Sequence, residues 1–200
     1  MIMQGPLYLL RHGETVWNRA KRLQGHKDTP LTLKGVKQAT ALGNALGKII
    51  EPPWPQYFYA SPIGRARQTA VIIADMIAYD SEKIIHHDSL KEITFGNWDG
   101  LNMEEILAND AEKWAQRKDA KWQFSPPNGE SYEQAGLRVA SFFSKMPTDH
   151  PIIIVAHGSL NKVIRGQWLK LRPDEILALD EPQDGFYYLT PDGKETFIKA

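Results

Sequence analysis

Two short apolar runs, Leu7-Tyr8-Leu9-Leu10 and Ile152-Ile153-Ile154-Val155, constrain this chain more than anything else in it. Neither alternates polar with apolar residues, so each reads as a strand buried on both faces, as in a parallel sheet covered by helices. Both runs end alike, the first at Arg11-His12-Gly13 and the second at Ala156-His157-Gly158. Ligands of open α/β sheets bind where strands end and helices begin. The two histidines are therefore expected at equivalent points of one sheet edge.

The rest of the chain supplies the layers. From Thr32 the apolar positions Leu33, Val36, Ala39, Leu42, Leu46 and Ile49 recur at three- and four-residue intervals, predicting a helix with Thr32 as its N-cap. Gly35, Gly43 and Gly47 weaken that pattern. The cluster Glu51-Pro52-Pro53-Trp54-Pro55 stops the helix, Tyr57 to Ala60 reads as a second strand, and Ser61-Pro62 is expected to cap and begin a helix to about Tyr79. Ile84-Ile85-His86-His87 reads as a short third strand. Helical patterns follow at about 102–118, at 131–146 and from Ser159 to Leu169, and Phe186 to Ile198 reads as a hairpin turning at Pro191-Asp192-Gly193. The expected fold is a three-layer α/β/α sandwich with a mostly parallel central sheet and an antiparallel C-terminal edge. It forms a single domain over residues 1–200, with a helical insertion at about 95–130 over the active site.

Charge and composition narrow the function. With 24 Lys+Arg against 24 Asp+Glu, nothing suggests nucleic-acid binding through bulk phosphate attraction. The absence of cysteine excludes disulfides, thiol catalysis and cysteine-type zinc sites. No apolar run approaches the roughly 18 residues of a membrane helix. The N-terminal residues lack a basic segment followed by a long apolar one, so no secretory signal is expected and a cytoplasmic protein is the default reading.

The strand ends carry the chemistry. Arg11, His12, Asn18, Arg65 and His157 fall at converging loop starts, a costly cluster of cations and donors unless an anion sits among them. Guanidinium groups suit phosphate oxygens and helix N-termini add N–H donors, so the expected ligand is a phosphoryl group. A neutral imidazole can attack phosphorus and carry the phosphoryl group covalently. Neighbouring cations keep His12 neutral and stabilise charge in the transition state. Glu92, in Leu90-Lys91-Glu92-Ile93, is the candidate proton donor for the leaving alcohol, and its carboxylate can then activate water.

These strings resemble a known family. Leu10-Arg11-His12-Gly13-Glu14-Thr15 with Asn18 is similar to the Arg-His-Gly signature of the histidine phosphatase superfamily, also called phosphoglycerate mutase-like. The likeness continues through Arg22-Leu23-Gln24-Gly25, Asp28-Thr29-Pro30-Leu31-Thr32, Ala60-Ser61-Pro62 with Arg65-Ala66-Arg67, Leu90-Lys91-Glu92-Ile93 with Gly96-Asn97-Trp98-Asp99-Gly100, and Val155-Ala156-His157-Gly158. The resemblance implies His12 as the phosphorylated nucleophile and Glu92 as proton donor. It implies Arg11, Asn18, Arg65 and His157 as phosphate-binding residues, with Gln24, Gly25 and Gly158 as further substrate contacts. It also implies neither a metal ion nor another cofactor.

Within the family, water as acceptor makes a phosphatase and a second sugar-acid hydroxyl makes a mutase. The short stretch from Glu92 to His157 and the segment Glu92 to Gly100 resemble the phosphatase branch, whereas His157-Gly158-Ser159-Leu160 is closer to the cofactor-dependent mutases, which are longer. The expected partner is a small phosphomonoester, and the sequence leaves monomer and dimer open. A catalytically inactive phosphate-binding module is the reading from another class, which Glu92 disfavours. Glu14 is expected to orient the signature loop through backbone N–H groups. His26 stays open between substrate contact and a solvated imidazole. His86 and His87, adjacent on a strand, face opposite sides and do not chelate. Trp98, Trp114 and Trp122 either line the leaving-group wall or form a small core, with core favoured for Trp114. Lys21, Arg22 and Lys27 read as attracting acidic substrates or as a solvated rim, and Glu104-Glu105 as an exposed helix face.

Overall fold

The computed structural model describes residues 5–50, 57–147 and 149–200. The expected helix stop at Glu51–Pro55 lies outside them. Six strands form one sheet: β1 (Leu7–Arg11), β2 (Tyr57–Ala60), β3 (Ile85–His86), β4 (Ile152–Ala156), β5 (Gly185–Leu189) and β6 (Glu195–Lys199), in the order β3-β2-β4-β1-β5-β6. β1 and β2 each pair in parallel with β4, and β3 with β2, whereas β5 runs antiparallel to both β1 and β6. This is the mostly parallel sheet with an antiparallel C-terminal edge that the sequence predicts.

The two apolar runs occupy the centre because both of their faces are covered. Leu7, Leu9, Ile152 and Ile154 face one core with Leu160, Val163 and Ile164 of α6 (Gly158–Leu169) and Val139 and Phe142 of α5 (Tyr132–Phe143). Tyr8, Leu10, Ile153 and Val155 face the other, with Leu42 and Leu46 of α2 (Leu33–Gly47) and Ala66, Ala70 and Ile73 of α3 (Gly64–Met76). The strict alternation along each strand is the two-residue period of the pleat. No helix among the described residues is long and apolar enough to cross a membrane.

Thr32 caps α2 as expected, its hydroxyl accepting the Gly35 N–H at 3.1 Å. Two of the glycines that weaken the helical pattern are explained by crowding. A Cβ on Gly35 would overlap the Glu14 carbonyl, and one on Gly43 would lie 2.6 Å from the Met76 Cβ of α3. Gly13 in turn could not carry a Cβ beside the Gly35 carbonyl, so the loop after β1 and the first turn of α2 meet backbone to backbone. The features not anticipated include the single helical turn α1 (Val16–Arg19), the short helix α7 (Pro173–Ala178), and a break in α4 (Met103–Asp119) at Asp110 (φ −141°, ψ 35°). There the Asp110 carboxylate accepts the Trp98 indole N–H at 2.9 Å and the Lys113 ammonium at 2.7 Å. Trp98 is fully buried and packs on Trp114 and Phe124, giving residues 95–130 an aromatic core of their own. Trp122 stacks instead on Tyr132.

The Ser61 expectation is corrected. Ile63, not Ser61, stands at the N-cap of α3 and makes no side-chain cap. The Arg65 N–H at the helix start is met at 3.2 Å by the Asp28 carboxylate from a distant loop.

The crowding makes a prediction. Gly35→Ala should destabilise the fold by about 1–3 kcal/mol because the neighbour is backbone and cannot yield. Gly47→Ala, whose new methyl would meet only the Ile77 side chain at 3.4 Å, should be neutral or stabilising. Urea unfolding of the two variants beside wild type decides it, and equal losses would contradict the packing argument.

Candidate active site

The β1–β4 ladder brings the two histidines together. Arg11 pairs opposite Ala156, and the His12 N–H continues the ladder by donating to the Ala156 carbonyl at 3.1 Å. The Ser61 N–H does the same from the end of β2, donating to the Val155 carbonyl at 3.0 Å. The His12 and His157 rings consequently stand edge to face with centroids 5.2 Å apart.

His12 is buried, and its hydrogen bonds assign its tautomer. Nδ1 donates to the Gly13 carbonyl at 2.8 Å, which leaves Nε2 with a lone pair, and Arg65 Nε donates to that lone pair at 3.2 Å. Burial, then the Arg65 and Arg11 cations, hold the ring well below the usual imidazole pKa of 6.5. Arg65 is itself 1% exposed. Its guanidinium is fixed by the Lys27 and Gly25 carbonyls at 2.8 Å each and by the Asp28 carboxylate at 3.3 Å.

His157 is fully buried, and its Nε2 lies 2.7 Å from the Ser61 hydroxyl. That hydroxyl oxygen also accepts the Ile63 N–H at 3.3 Å; where it gives its own proton to Nε2, the ring proton sits on Nδ1. Nδ1 has no partner. Among the described residues three buried side-chain nitrogen or oxygen atoms lack one: Arg11 Nε, His157 Nδ1 and Asn161 Oδ1. Arg11 Nε is a donor and His157 Nδ1 is one in the tautomer that carries its proton there, and orphaned donors in a buried site are expensive unless an acceptor joins them. Burial, then the Arg65 cation and His12, hold His157 too well below 6.5.

Glu92 reaches the same edge from the loop after β3. Its carboxylate accepts N–H groups from Ile93 at 2.9 Å, Leu160 at 3.0 Å and Ser159 at 3.2 Å, so it sits on the N-terminus of α6. Those donors and the Arg65 and Arg11 cations favour the ionised form, but burial, with the Glu181 carboxylate behind it, prevails and raises the group above the usual carboxylate range.

The other predicted residues are placed unevenly. Asn18 Oδ1 is committed to the Thr15 N–H at 3.1 Å, with Gln183 Nε2 at 3.5 Å, which leaves its NH₂ as the free donor. Gln24 uses its oxygen on the Thr15 hydroxyl at 3.0 Å. Gly25 serves through its carbonyl, which holds Arg65. Gly158 is covered by the Glu181 carboxylate, and Arg11 donates to the Glu181 carbonyl. The Glu14 carboxylate accepts from the Thr32 hydroxyl at 2.8 Å and Lys34 at 3.0 Å, tying the loop to α2 by side chains rather than by the backbone N–H groups expected. His26 Nε2 lies 2.8 Å from the Glu92 carbonyl and helps hold that loop. Arg22 and Glu105 form a bidentate pair at 2.7 and 2.9 Å, so Glu105 is not a free helix face but an anchor between loop and α4.

Sequence reasoning missed the supporting residues. Asp99 accepts the His26 and Phe95 N–H groups and the Thr94 hydroxyl. Arg138 binds the Ser89 and Lys91 carbonyls, at 2.6 and 2.8 Å, and Glu130. Gln183 donates to the His12 carbonyl at 2.9 Å. Asp28 and Asp99 lie inside the recognised strings, and that was the only signal for them. Arg138 and Gln183 carry none. Among the described residues no group of three or more His, Asp or Glu side chains is arranged to hold a metal ion.

The model of the histidine phosphatase superfamily (branch 1) matches residues 7–200. The chain belongs to the histidine phosphatase superfamily. A 2,3-bisphosphoglycerate-dependent phosphoglycerate mutase of Parvibaculum lavamentivorans is 30% identical over 190 residues, 89% of this chain and 86% of the relative. The mycobacterial glucosyl-3-phosphoglycerate phosphatase superposes with a TM-score of 0.78 at 30% identity, covering 98% of each chain. The alpha-ribazole phosphatase of Shigella flexneri shares the fold at a TM-score of 0.81 and 23% identity, over 97% and 95% of the two chains. The mutase relative is matched over most of its own length, so chain length does not separate mutases from this protein. Membership makes it an enzyme whose substrate is a small phosphorylated compound.

The buried neutral histidines set a pH dependence of stability. Once unfolded they bind protons below about pH 6.5, whereas folded they resist, so the unfolded state holds more protons and stability falls as pH drops. Each contributes at most about 1.4 kcal/mol per pH unit. Urea unfolding between pH 7 and 5 should show a shallower decline for His157→Gln than for wild type, and parallel declines would refute the assignment.

Proposed function

We propose that this enzyme hydrolyses a small phosphomonoester through a phosphohistidine on His12. The observation that carries the reading is a pair of unpartnered buried nitrogens, Arg11 Nε, a donor, and His157 Nδ1, a donor when it carries the ring proton, beside an imidazole whose Nε2 lone pair is free of a proton. A phosphoryl oxygen is the acceptor such donors need.

His12 Nε2 forms a bond to phosphorus as the bond to the ester oxygen breaks. The departing oxygen takes the proton of Glu92, whose pKa burial raises in the direction that task needs, and leaves as the alcohol. Nδ1–H shares the positive charge of the phosphorylated ring with the Gly13 carbonyl. Arg11, Arg65, His157 and the Asn18 amide are the groups assigned to the phosphoryl oxygens, where charge develops. Glu92, now ionised, removes a proton from water that attacks phosphorus. The phosphorus–nitrogen bond breaks, phosphate leaves, and His12 and Glu92 return to their starting states.

Support for water as acceptor comes from the phosphatase superposed at 30% identity and from the segment Glu92 to Gly100. The mutase name of the relative at 30% identity supports the second reading, transfer to phosphoglycerate. Phosphate release from a phosphomonoester panel, with interconversion of 3- and 2-phosphoglycerate followed with and without 2,3-bisphosphoglycerate, separates the two. Hydrolysis predicts release that His12→Ala abolishes and that excess chelator leaves intact. Isomerisation without release would establish the mutase.

The proton donor gives a finer prediction. Glu92→Gln should slow alkyl phosphates by about 10²–10⁴-fold and p-nitrophenyl phosphate far less, because a nitrophenolate needs no proton. kcat/KM should follow a bell in pH, falling at low pH as His12 protonates and at high pH as Glu92 ionises. In Glu181→Gln, which lacks the carboxylate behind Glu92, the alkaline limb should move to lower pH. An unchanged limb would remove Glu181 from that role.

A further inference from the structure

We propose that Arg165 is a positioning residue for this site: it pins the segment Asp180–Gln183, and that segment holds Arg11, His12 and the carboxylate behind Glu92. The consequence for rate rests on the reading of Glu92 as proton donor, whereas the consequence for Glu92 itself does not.

Arg165 lies in α6 and is 3% exposed. Its Nε and one terminal nitrogen fork onto the two carboxylate oxygens of Glu195 in β6, at 2.6 and 2.7 Å. The other terminal nitrogen donates to the Asp180 carbonyl at 2.7 Å and to the Asp180 carboxylate at 3.3 Å. The Tyr187 ring of β5 lies under the guanidinium, its centroid 3.5 Å away, and its hydroxyl donates to the same Asp180 carboxylate. The fork onto Glu195 alone would serve the fold, since it ties a helix to the sheet. The bonds to Asp180 fix instead a stretch of backbone between α7 and β5 that has no ladder of its own.

That stretch reaches the reacting edge directly. The Glu181 carbonyl accepts from Arg11, and the Gln183 amide donates to the His12 carbonyl at 2.9 Å, so consecutive residues at the end of β1 are both held. The Glu181 carboxylate pairs with Lys162 at 3.2 Å and fills the space that a Cβ on Gly158 would need. The fit leaves no slack, so a shift of the segment displaces these groups together. Misplacement by about 1 Å costs rate by up to about a hundredfold.

The charged and titratable groups facing Glu92 are Arg65 of α3, Arg11 of β1, Tyr132 of α5 and Glu181. Glu181 in turn faces Lys162, Arg11, Tyr132 and Lys121. The Arg65 and Arg11 cations favour ionised Glu92, and Glu181 outweighs either of them in the opposite sense. Freeing the segment withdraws Glu181, and Glu92 then ionises at lower pH.

Two substitutions test the link: Arg165→Lys, which keeps a cation for Glu195 but loses the fork to Asp180, and Tyr187→Phe, which removes one hydroxyl from the Asp180 carboxylate. In protein isotope-labelled at glutamate Cδ, the Glu92 resonance is the one missing from Glu92→Gln. It should titrate at lower pH in Arg165→Lys than in wild type, with a smaller shift of the same sign in Tyr187→Phe. With Glu181→Gln already present, neither substitution should move it further. The alkaline limb of kcat/KM on an alkyl phosphomonoester should move with it, and kcat/KM should fall by about tenfold to a hundredfold, part of the fall appearing in KM as Arg11 is released. A role confined to the fold predicts lower urea stability with an unmoved Glu92 titration in the folded variants. That result, or equal shifts with and without the Glu181 carboxylate, overturns the proposal. Where Arg165→Lys does not fold, Tyr187→Phe decides by the same two criteria. A shifted Glu92 titration beside an unmoved alkaline limb would support Arg165 in this role and count against Glu92 as the proton donor.

Discussion

Everything at this site depends on holding positive groups and unpartnered donors in a dry place. The sheet edge between β1 and β4 presents Arg11, His12 and His157 within one register step of each other, and Arg65 is buried against them. Water cannot solvate these groups well, and a carboxylate placed among them would compete with the substrate. The chain's answer is to neutralise them with weak partners. Arg65 is met mostly by carbonyl oxygens, and both histidines stay uncharged. In the proposed reaction a phosphoryl group would meet donors that are oriented but unsatisfied, which is the arrangement that transition-state stabilisation by fixed dipoles requires.

Stronger ion pairs are set one layer back, where they position loops. Asp28 both caps α3 and touches Arg65, so the helix start and the guanidinium are located by one carboxylate. Asp99 ties the Gly25–His26 turn to the Thr94–Phe95 stretch of loop, and Arg138 clamps the segment leading to Glu92 through two carbonyls and Glu130. Removing any of these leaves every reacting group present but loosens its placement. A loss of rate without a loss of chemistry is the outcome expected of such positioning residues.

The sheet and the meeting of His12, His157, Arg65 and Glu92 at one of its edges were legible because each rests on a strong local signal. Fully apolar runs ending in His-Gly can hardly be other than central strands, and the Thr32 cap announces α2. What could not be read depends on distant partners. Ser61 looks like a helix cap in sequence and in the fold turns to His157, because the end of β2 lies beside the end of β4. Glu105 looks like a solvated face and is claimed by Arg22, 83 residues away in the chain. Gly35 and Gly43 look like helix breakers and are instead contact points, one for a loop and one for α3. No periodicity carries such information, since each case is decided by which backbone happens to pack alongside.

The proposed mechanism asks two opposite tasks of the one Glu92 carboxyl. A proton donor that must later act as base needs neither form to be strongly preferred. Burial and Glu181 favour the acid, and three N–H groups at or beside the first turn of α6 favour the carboxylate. On that proposal, ionisation in the first step occurs in a cradle already built for the anion, and burial then makes that anion a competent base toward water. A helix N-terminus commonly binds phosphate directly, but the N-terminus of α6 instead holds the Glu92 carboxylate, the proposed proton donor, and the proposed phosphate contacts are side chains. That division explains why the strand-end residues, rather than the glycines that follow them, carry the donors left unsatisfied.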